Sequence, residues 1–486
     1  MSDSTLIILA LLVPVIGALL IAMSDRKPNQ RDGITLLTAV ALFAAVAALL
    51  PSVLAGMRPE LSLIEVVPGI TIAFRIEPLG MMFAAVASIL WIVNSIYSIG
   101  YMRGNGESHQ TRFYICFAVA LWATIGIAFA ANLFTLFIFY EMLTILTYPL
   151  VTHHGDRNSV RGGRVYLGIL LTTSIGLLLP AIVVTGLATG TLDFRAGGIL
   201  AGKVSPVLGG LLLVLFIYGT GKAALMPFHR WLPAAMVAPT PVSALLHAVA
   251  VVKAGVFIVV KVVVYIFGIE YLSKLAYTDW LLYISGATII IASIIALRSD
   301  NLKRRLAYST ISQLSYVIMA TAILLPISAV GAALHIAVHA FGKITLFFAA
   351  GSIYTVSHKT KVSQLDGIGR RMPWTMGAFA IASLSMIGIP PTAGFVSKWF
   401  IVQGALQAQS VFALVVVVLS TLLNAAYFLP IVYAAFFRKA PAEATHGEAP
   451  LPMVIALVAT AGGTLALFFF ADVVLQLARD MVRPGG

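Results

Sequence analysis

Residues 222–255, KAALMPFHRWLPAAMVAPTPVSALLHAVAVVKAG, place four prolines among Lys222, His247 and Lys253 in an otherwise apolar part of the chain. Proline removes a backbone donor and disrupts the helical turn before it, so the freed carbonyls need protein or water partners at membrane depth. The stretch therefore predicts a membrane helix, near residues 206–226, that is broken beside Lys222. A complete helix near residues 240–266 follows it and carries His247 and Lys253.

The composition of the whole chain agrees with a membrane location. Of its 486 residues, 60% are hydrophobic and only 10% are charged, with a mean hydropathy of +1.00. About a quarter of the residues of a soluble domain are charged. Windows of about 20 apolar residues recur without the alternation of a β-barrel. The chain is therefore predicted to be an all-α polytopic membrane protein, with residues 1–486 forming a single transmembrane domain.

Fourteen transmembrane helices are predicted from the apolar windows. They fall near residues 4–23, 34–55, 79–100, 113–131, 132–151, 164–189, 206–226, 240–266, 281–297, 305–325, 328–356, 375–405, 410–437 and 451–477. The stretch 436–452, FFRKAPAEATHGEAPLP, is the one connection with the composition of a linker.

The net charge of +13 is explained by the bilayer and not by nucleic-acid binding. With fourteen spans, the loops after odd-numbered helices carry 19 of the 31 Lys and Arg residues, and the opposite side carries 7. The positive-inside rule therefore predicts that both termini lie outside the cytoplasm, in an inner or cell membrane. The lipid bilayer is an expected partner, and nucleic acid is not.

Signals for catalytic or cofactor chemistry are weak. Cys116 is the single cysteine, so the chain alone cannot form a disulfide or a four-thiolate iron–sulfur cluster. The stretch GTGKAA, 219–224, lacks the first glycine and the Ser or Thr of a phosphate loop. No dinucleotide fingerprint, serine triad or haem-attachment signal stands out. We therefore expect no catalytic, cofactor-binding or metal residues and no cofactor, and any redox centre would belong to partner subunits.

A second break is predicted in the twelfth helix, at Gly388, Pro390, Pro391 and Gly394. The two breaks lie five helices apart, a pattern expected of two related halves arranged around a site near the middle of the membrane. An odd offset inverts the second half relative to the first. The alternative is that these prolines only kink packed helices.

Charged residues inside the predicted spans carry the functional prediction. A charge at the bilayer centre costs about 3 kcal/mol, so five lysines facing lipid would cost about 15 kcal/mol. Such residues are expected to face a protein-lined, partly hydrated interior, where they serve proton or ion movement. They are Glu141, Lys222, Lys253, Lys261, Lys343 and Lys398. Of these, Lys261 lies near a helix end and is expected to extend its ammonium to the membrane surface.

Glu141 and Lys222 are the first candidate pair. Glu141 is the one acidic residue placed well inside a span, and the lysines offer it partners. Its structural alternative is a protonated carboxyl that is hydrogen-bonded to a neighbour such as Thr144. Lys222 lies at the predicted break, where unpaired backbone groups and water would ease gain and loss of its proton. Its alternative is a structural lysine that extends from a helix end.

Histidines accompany the lysines in the eighth and eleventh helices. His247 and Lys253 are six residues apart, about 120° around a regular helix, so they line neighbouring sectors. His247 alone is as compatible with a hydrogen-bonded core residue. His335, His339 and Lys343 follow one another at i, i+4 and i+8, forming a stripe about 12 Å long that suits stepwise proton movement. Zinc binding by the two histidines is the rival, but no nearby Glu, Asp or Cys completes the site.

Lys398 follows the second break, in GIPPTAGFVSKWF, 388–400. Its position relative to that break corresponds to the position of Lys222 relative to the first. We therefore predict that it belongs to the same path. The alternative is a lysine that extends from the end of its half-helix to the surface.

Four segments together resemble a known family: 222–255, NLKRRLAYSTISQLSY at 301–316, LHIAVHAFGKITLFFAAG at 334–351, and 388–400. They are similar to the antiporter-like subunits shared by respiratory complex I, Mrp cation/proton antiporters and membrane-bound hydrogenases. The resemblance implies fourteen helices with two inverted five-helix repeats, at about 113–266 and 281–437. It also implies a central hydrated polar axis.

The resemblance assigns roles by motif. Glu141 and Lys222 look like the family's Glu/Lys pair, Lys253 like its central lysine, and Lys398 like its exit-side residue. The linking residues are His335, His339 and Lys343, and His247 matches a further family histidine.

The resemblance also suggests the type of complex. A lysine at 398, where one complex I chain uses Glu, and the expected lack of a C-terminal lateral helix favour D-type subunits of Mrp antiporters or the matching hydrogenase chain. Ala234 stands where many relatives have an acid, so an ion relay through that position is in doubt. The leading hypothesis is a subunit that moves protons and Na⁺ or K⁺ together with other membrane subunits. The proton-pumping arm of a redox-driven enzyme and a scaffold without transport are the alternatives.

Overall fold

The structure is a computed structural model that describes residues 2–276, 278–440 and 447–483. Residues 441–446 of the predicted linker lie outside the described residues. The helices are α1 (Asp3–Met23), α2 (Pro28–Leu54), α3 (Pro78–Gly104), α4 (Gln110–Phe129), α5 (Leu133–Val151), α6 (Arg157–Thr189), α7 (Pro206–Gly219), α8 (Thr240–Phe267), α9 (Trp280–Arg298), α10 (Leu302–Ala322), α11 (Pro326–Ser357), α12 (Pro373–Ile387 and Ala393–Gln407), α13 (Val411–Phe437), α14 (Leu451–Phe469) and α15 (Asp472–Asp480).

The prediction of an all-α polytopic membrane protein is confirmed. Within the described ranges, eleven helices are long and apolar enough to cross a membrane. The other three predicted spans are α7, α10 and α12. Of these, α7 and the first half of α12 are shorter apolar helices, and α10 begins with the basic residues Lys303, Arg304 and Arg305. Each of the fourteen predicted segments overlaps one of the helices α1–α14.

Both predicted breaks are present. After α7 the chain makes a single 3₁₀ turn, Gly221–Ala223, and Ala224 then adopts a left-handed conformation with φ of 55°. Within α12 the helix stops at Ile387 and resumes at Ala393, and Gly388 lies between them with φ of 92°. The two interruptions lie in the positions that the repeat pattern predicts. The inverted relation of the two halves stays a prediction.

Glycine allows the broken segments to pack closely. A β-carbon at Gly255 of α8 would overlap the backbone of the turn at Lys222 and Ala223. A β-carbon at Gly394 would overlap the carbonyl of Ser385 across the break in α12. These close approaches hold each break against a neighbouring helical segment.

The helix α8 is central and irregular. Its most apolar window is fully buried and that of α11 is 94% buried, whereas those of α1 and α2 are 39% buried. The outer helices thus leave apolar faces toward lipid, and α8 and α11 form the centre. Two π-helical turns, Leu245–Val249 and Val263–Phe267, interrupt α8. Because a π turn holds extra residues, the 120° separation expected for His247 and Lys253 in a regular helix does not apply.

A β-hairpin between α2 and α3 was not predicted from the sequence. Strands β1 (Glu60–Val67) and β2 (Ile70–Arg75) pair antiparallel around Gly69, which has φ of 80°. The amide of Ala73 donates to the Thr135 hydroxyl at 3.1 Å, so the hairpin is fixed to the start of α5. Apart from the two breaks, the membrane spans are therefore helical, and one connection contains a small strand pair.

Candidate functional site

Lys222 lies in the 3₁₀ turn at the first break and is completely buried. Its ammonium donates to the backbone carbonyl of Tyr140 at 2.8 Å and to the hydroxyl of Thr144 at 2.5 Å. The Tyr140 ring centroid is 3.1 Å from the ammonium nitrogen. The backbone N–H of Lys222 donates to the Tyr140 hydroxyl at 3.2 Å. Neutral groups of α5 therefore surround this lysine.

Glu141 does not make the direct contact with Lys222 that a Glu/Lys pair suggests. Among the described residues, no ion pair within 4.0 Å joins the two side chains. Tyr140 and Thr144, four residues apart on one face of α5, take the contacts with the lysine, and Glu141 occupies the adjacent sector. The Glu141 side chain is half-buried, and its Oε1 has no hydrogen-bond partner in the described part of the chain.

Lys253 and His339 join the two central helices. The Lys253 ammonium nitrogen is 2.5 Å from His339 Nδ1, and both residues are buried. The ring of His335 stacks on that of His339, with centroids 5.9 Å apart and an interplanar angle of 19°. The helix α11 is a continuous α-helix through these residues, so the predicted stripe of His335, His339 and Lys343 lies on one face.

His247 is buried near the stripe without a hydrogen bond to it. It lies in the π-helical turn Leu245–Val249, and its ring centroid is 4.7 Å from that of Phe347 in α11. Neither ring nitrogen has a hydrogen-bond partner among the residues that the structure describes. A core histidine of the ordinary kind would have its buried nitrogens bonded. The described residues therefore supply no hydrogen bond to His247, and its role stays a prediction.

His335 is held from two sides. Its Nε2 is 3.0 Å from Oε1 of Gln313 in α10, and its Nδ1 is 2.9 Å from the hydroxyl of Ser397 in α12. With Lys253 against Nδ1 of His339, three of the four ring nitrogens of the two histidines contact protein groups. No group of three or more His, Cys, Asp or Glu side chains in the described ranges is arranged to hold a metal ion.

Lys343, at the end of the stripe, is completely buried. Its ammonium donates to the hydroxyl of Ser309 in α10 at 2.8 Å. The Tyr427 hydroxyl of α13 lies 3.0 Å from the same oxygen. The stripe residues thus have three separate sets of partners, in α8 for His339, in α10 and α12 for His335, and in α10 for Lys343.

Lys398 turns inward to the second break, so the alternative of an ammonium at the membrane surface is wrong. Its ammonium donates to the carbonyls of Met386 at 3.1 Å and Ile387 at 2.8 Å, and lies 4.9 Å from the Tyr316 ring. These carbonyls end the first half of α12, where the helix leaves its carbonyls without intrahelical partners and carries partial negative charge. The Lys398 ammonium therefore supplies the donors that these carbonyls lack, and the carbonyls stabilise its charge.

Sequence reasoning missed the uncharged members of this network. They are Ser309, Gln313 and Tyr316 in α10, Ser397 in α12, and Asn424 and Tyr427 in α13. The sequence contains a signal for the members in α10 and α13. Residues 309, 313 and 316 repeat at i, i+4 and i+7, and Ser420, Asn424 and Tyr427 form a polar stripe in the apolar α13. A search limited to charged side chains and histidines does not include these stripes.

The prediction that Lys261 extends to the surface is wrong. Its ammonium is completely buried, 3.1 Å from the carboxylate of Glu77, and it donates to the Ala130 carbonyl at 2.8 Å. Glu77 precedes α3 and was counted as a loop residue, although it is 2% exposed. The beginning of α3 lies against the end of α8, so the Lys261 ammonium pairs with the Glu77 carboxylate and does not reach water at the membrane surface.

The five buried lysines therefore fall into two classes. Lys261 has a carboxylate within ion-pair distance. In the part of the chain that the structure describes, Lys222, Lys253, Lys343 and Lys398 have no such partner and are held by carbonyls, hydroxyls and an imidazole. Lys222 lies at the first break and Lys398 at the second. Lys253, Lys343 and the two stacked histidines lie in the central helices α8 and α11.

Comparison with known proteins identifies the family. Residues 130–424 match the family described as "NADH:quinone oxidoreductase/Mrp antiporter, TM". NADH-quinone oxidoreductase subunit N of Desulforudis audaxviator is 32% identical over 455 residues, covering 92% of this chain and 89% of that protein. A probable K(+)/H(+) antiporter component of Rhizobium meliloti is 30% identical over 89% of this chain, which spans only 44% of that protein.

The fold has a close counterpart among solved structures. A chain of the Mrp complex from Dietzia sp. DQ12-45-1b superposes with a TM-score of 0.87 at 20% identity, covering 99% of this chain and 97% of that one. At this identity the similarity shows the fold alone. Together with the family match over more than half of the sequence, it leads to one conclusion. The chain belongs to the NADH:quinone oxidoreductase/Mrp antiporter transmembrane family.

Proposed function

We propose that this chain moves protons, coupled to Na⁺ or K⁺, as an ion-translocating subunit of a multisubunit membrane complex, of the D type found in Mrp cation/proton antiporters. The observation that carries this proposal is the contact between Lys253 and His339. It joins two proton-binding groups, one from each central helix, at hydrogen-bond distance. A proton can pass between such groups without a large movement of either helix.

The partners of the lysines support proton exchange. An ammonium buried with a carboxylate, as at Lys261, forms a static pair. An ammonium buried among neutral groups is costly to keep charged, because no opposite charge offsets its desolvation. Lys222, Lys253 and Lys343 are in this second situation. They are therefore suited to bind a proton transiently and to release it to a neighbour.

The proposed path runs from the first break to the second. The turn that holds Lys222 packs on α8 at Gly255, two residues from Lys253. From Lys253 the path continues through His339 and His335 along α11, or through Lys343, and ends at Lys398. His247, with both ring nitrogens unpartnered in the described residues, lies beside this path as an additional proton-binding group.

Glu141 acts on Lys222 through space in this proposal. The two side chains make no direct ion pair among the described residues, yet Glu141 adjoins Tyr140, whose carbonyl accepts from Lys222. In a medium of low effective dielectric constant, a carboxylate on the same turn of α5 as the groups that bind Lys222 still favours the charged form of the lysine. Protonation of Glu141 would remove that effect and release the proton of Lys222 toward Lys253.

The proposal is tested in inverted membrane vesicles that contain the assembled complex. A pH-sensitive dye follows proton movement when Na⁺ or K⁺ is added. We expect Glu141→Ala and Lys222→Ala to abolish ion-coupled proton movement while the complex still assembles. Lys274→Ala is the matched control, because Lys274 is an exposed lysine whose side chain is 72% accessible. Wild-type transport in the Glu141 and Lys222 variants would contradict the mechanism.

A second candidate function is a proton-pumping subunit of an NADH:quinone oxidoreductase. The 32% identity with subunit N of Desulforudis audaxviator over nearly the full length of both chains favours it. The D-type antiporter assignment is favoured by Lys398, a lysine where one related complex I chain uses Glu.

The same vesicles separate the two candidates. Proton movement that follows a pulse of NaCl or KCl without a reductant supports the antiporter. Proton movement that requires NADH and a quinone, and that ignores the cation, supports the redox-driven pump. Neighbouring genes give a second criterion, since genes for small Mrp-type membrane subunits accompany the first and genes for iron–sulfur subunits accompany the second.

The orientation in the membrane is also a proposal. The excess of Lys and Arg in the loops after odd-numbered helices supports an orientation with both termini outside the cytoplasm. Alkaline phosphatase fused after residue 483 would be active if this orientation is right. Green fluorescent protein at the same place would fluoresce if the C-terminus is cytoplasmic, and that result would reverse the assignment.

A further inference from the structure

Three uncharged residues connect the end of the stripe in α11 with the second break. Ser309 in α10, and Asn424 and Tyr427 in α13, are completely buried and have no role in the path proposed above. We propose that they form a hydrogen-bond switch through which the protonation of Lys343 controls the hydrogen bonding of Lys398. This inference rests on the proposed function and assigns the three as positioning residues.

The contacts form an unbroken series. The Lys343 ammonium donates to the Ser309 hydroxyl at 2.8 Å, and the Tyr427 hydroxyl lies 3.0 Å from the same oxygen. Tyr427 also hydrogen-bonds Oδ1 of Asn424, three residues earlier in α13. Nδ2 of Asn424 lies 3.4 Å from the carbonyl of Met386.

The chemistry of the groups fixes the direction of these bonds. An amide oxygen only accepts, so Tyr427 must donate its single proton to Asn424 Oδ1. The same hydroxyl lies 3.0 Å from the Ser309 oxygen, so Ser309 Oγ is a second acceptor open to the Tyr427 proton. The charged Lys343 has three protons and no acceptor, so it donates to Ser309. Ser309 Oγ therefore accepts from Lys343, and the single proton of Tyr427 has two acceptors, Asn424 Oδ1 and Ser309 Oγ.

The series ends where Lys398 binds. The carbonyl of Met386 accepts from Asn424 at 3.4 Å and from Lys398 at 3.1 Å. Gln313, the partner of His335, lies 3.5 Å from the same carbonyl. One backbone oxygen at the second break therefore adjoins both the Asn424 amide and the ammonium of Lys398.

Loss of a proton from Lys343 redirects the proton of the Tyr427 hydroxyl. The neutral amine gains a lone pair and becomes an acceptor, so Ser309 can turn its hydroxyl toward Lys343. Tyr427 then donates to Ser309, which frees Asn424 Oδ1. The Asn424 amide is then no longer fixed beside the Met386 carbonyl, and that carbonyl is left to the Lys398 ammonium. Deprotonation of Lys343 thus favours a proton on Lys398, and no covalent bond is made or broken in the rotations.

Of the ionisable groups around the series, Arg305, Tyr316 and His335 have partners of their own in the described residues. Lys253 and His339, which lie near Lys343, contact each other, and His247 has no hydrogen-bond partner there. Arg305 Nη1 donates to the backbone carbonyl of Tyr427 at 2.9 Å and does not bond its hydroxyl. The Tyr316 hydroxyl bonds Ser420, and His335 bonds Gln313 and Ser397. None of these contacts occupies the oxygens of Ser309 or Tyr427.

The test uses single-atom or small changes in the vesicle assay. Tyr427→Phe and Ser309→Ala should each slow transport by about fivefold or more, the lower end of usual coupling between sites, and shift the pH of half-maximal transport. Ser309→Thr keeps the hydroxyl and should restore both. Tyr265→Phe is the matched control, because Tyr265 is a buried tyrosine in α8 whose hydroxyl has no hydrogen-bond partner among the described residues.

A double variant tests for one continuous series. Breaking a chain twice has no further effect, so the double variant Ser309→Ala/Tyr427→Phe should transport as slowly as the slower single variant. Losses that multiply would overturn the switch, as would wild-type pH profiles in both single variants. Lys343→Ala separates this result from the proposed function. If it abolishes transport while the single hydroxyl variants behave as wild type, the path stands and the switch is wrong.

Discussion

Lys261 Nζ lies 3.1 Å from the carboxylate of Glu77, and this pair fastens the end of α8 to the start of α3. Both side chains are buried, at 0% and 3% exposure. Arg75 of β2 lies 3.3 Å from the other carboxylate oxygen, which connects the hairpin to the same point. The pair thus lies apart from the proposed proton path and has a structural role.

Removal of one partner of this pair should destabilise the protein strongly. Glu77→Gln leaves the Lys261 ammonium buried without a carboxylate, and Lys261→Met leaves Glu77 paired with Arg75 alone among the described residues. Loss of one partner from a buried pair costs about 3–5 kcal/mol. We expect a large fall in the unfolding midpoint in detergent. The double variant should recover most of the loss, because neither charge then remains.

An exposed pair provides the control for that prediction. Lys274 and Glu270 lie 2.6 Å apart with side chains 72% and 85% accessible. Lys274→Met should cost less than about 1 kcal/mol, as for surface pairs in general. If Lys261→Met and Lys274→Met lower the midpoint equally, the structural role of the buried pair is refuted.

His339→Asn should slow proton transport about tenfold or more, equivalent to about 1.4 kcal/mol in the barrier. Asparagine can accept a hydrogen bond from Lys253 but cannot bind and release a proton at neutral pH. The dye assay in vesicles measures the change. His358→Asn is the control, since His358 ends α11 with φ of 53°, a conformation that asparagine tolerates. Equal rates in the two variants would speak against a proton at His339.

Gly255→Ala should destabilise the first break. Its methyl group would overlap the backbone of Lys222 and Ala223, and such overpacking costs about 1–3 kcal/mol. We also expect slower transport, because the turn that holds Lys222 must shift to make room for the methyl group. Gly168→Ala in α6 meets nothing within 4 Å and should change stability by about 1 kcal/mol or less, in the stabilising direction. Thermal unfolding of both variants gives the comparison.

The loop after α5 should make stability depend on pH. Burial lowers the pKa of His153 to about 4, whereas a hydrogen bond with Glu107 raises the pKa of His154. Between pH 4 and 6.5 the unfolded chain binds a proton at His153 that the folded chain excludes, so stability rises with pH in this window. The His154 contribution is present below its unfolded pKa and is lost as pH rises through the raised folded value.

The variant His153→Gln isolates the first effect. The unfolding midpoint of the wild type minus that of the variant should increase from pH 4 to 6.5, because only the wild type has the buried histidine to protonate. A difference that is constant over this range would contradict the assignment. His109→Gln, a change at an exposed histidine two residues after Glu107, shows the background dependence.

The spans and both breaks were predictable because they depend on local signals. Apolar windows of membrane length and clusters of proline and glycine at Pro227–Pro241 and Gly388–Gly394 act within a few residues of where they occur. The stripe of His335, His339 and Lys343 was predictable for the same reason, since α11 is regular there.

The partners of the charged residues were not predictable, because they come from distant parts of the chain. The neighbours of Lys222 are 78 and 82 residues away, and the Tyr427 hydroxyl bonds a serine 118 residues away. The π turns of α8 were not predictable either, because no proline or glycine lies within Leu245–Val249 or Val263–Phe267. The error at Lys261 came from Glu77, whose burial depends on how α3 packs at the end of α8.

The contact between Lys253 and His339 spans 86 residues of sequence, and this has a consequence for biosynthesis. Ribosomes deliver α8 to the insertion machinery before α9, α10 and α11 exist, so Lys253 enters the membrane with its future neighbour still untranslated. An isolated lysine at mid-membrane costs about 3 kcal/mol. The helix that becomes the innermost element of the fold must therefore be sheltered by earlier helices or by an insertase until α11 arrives.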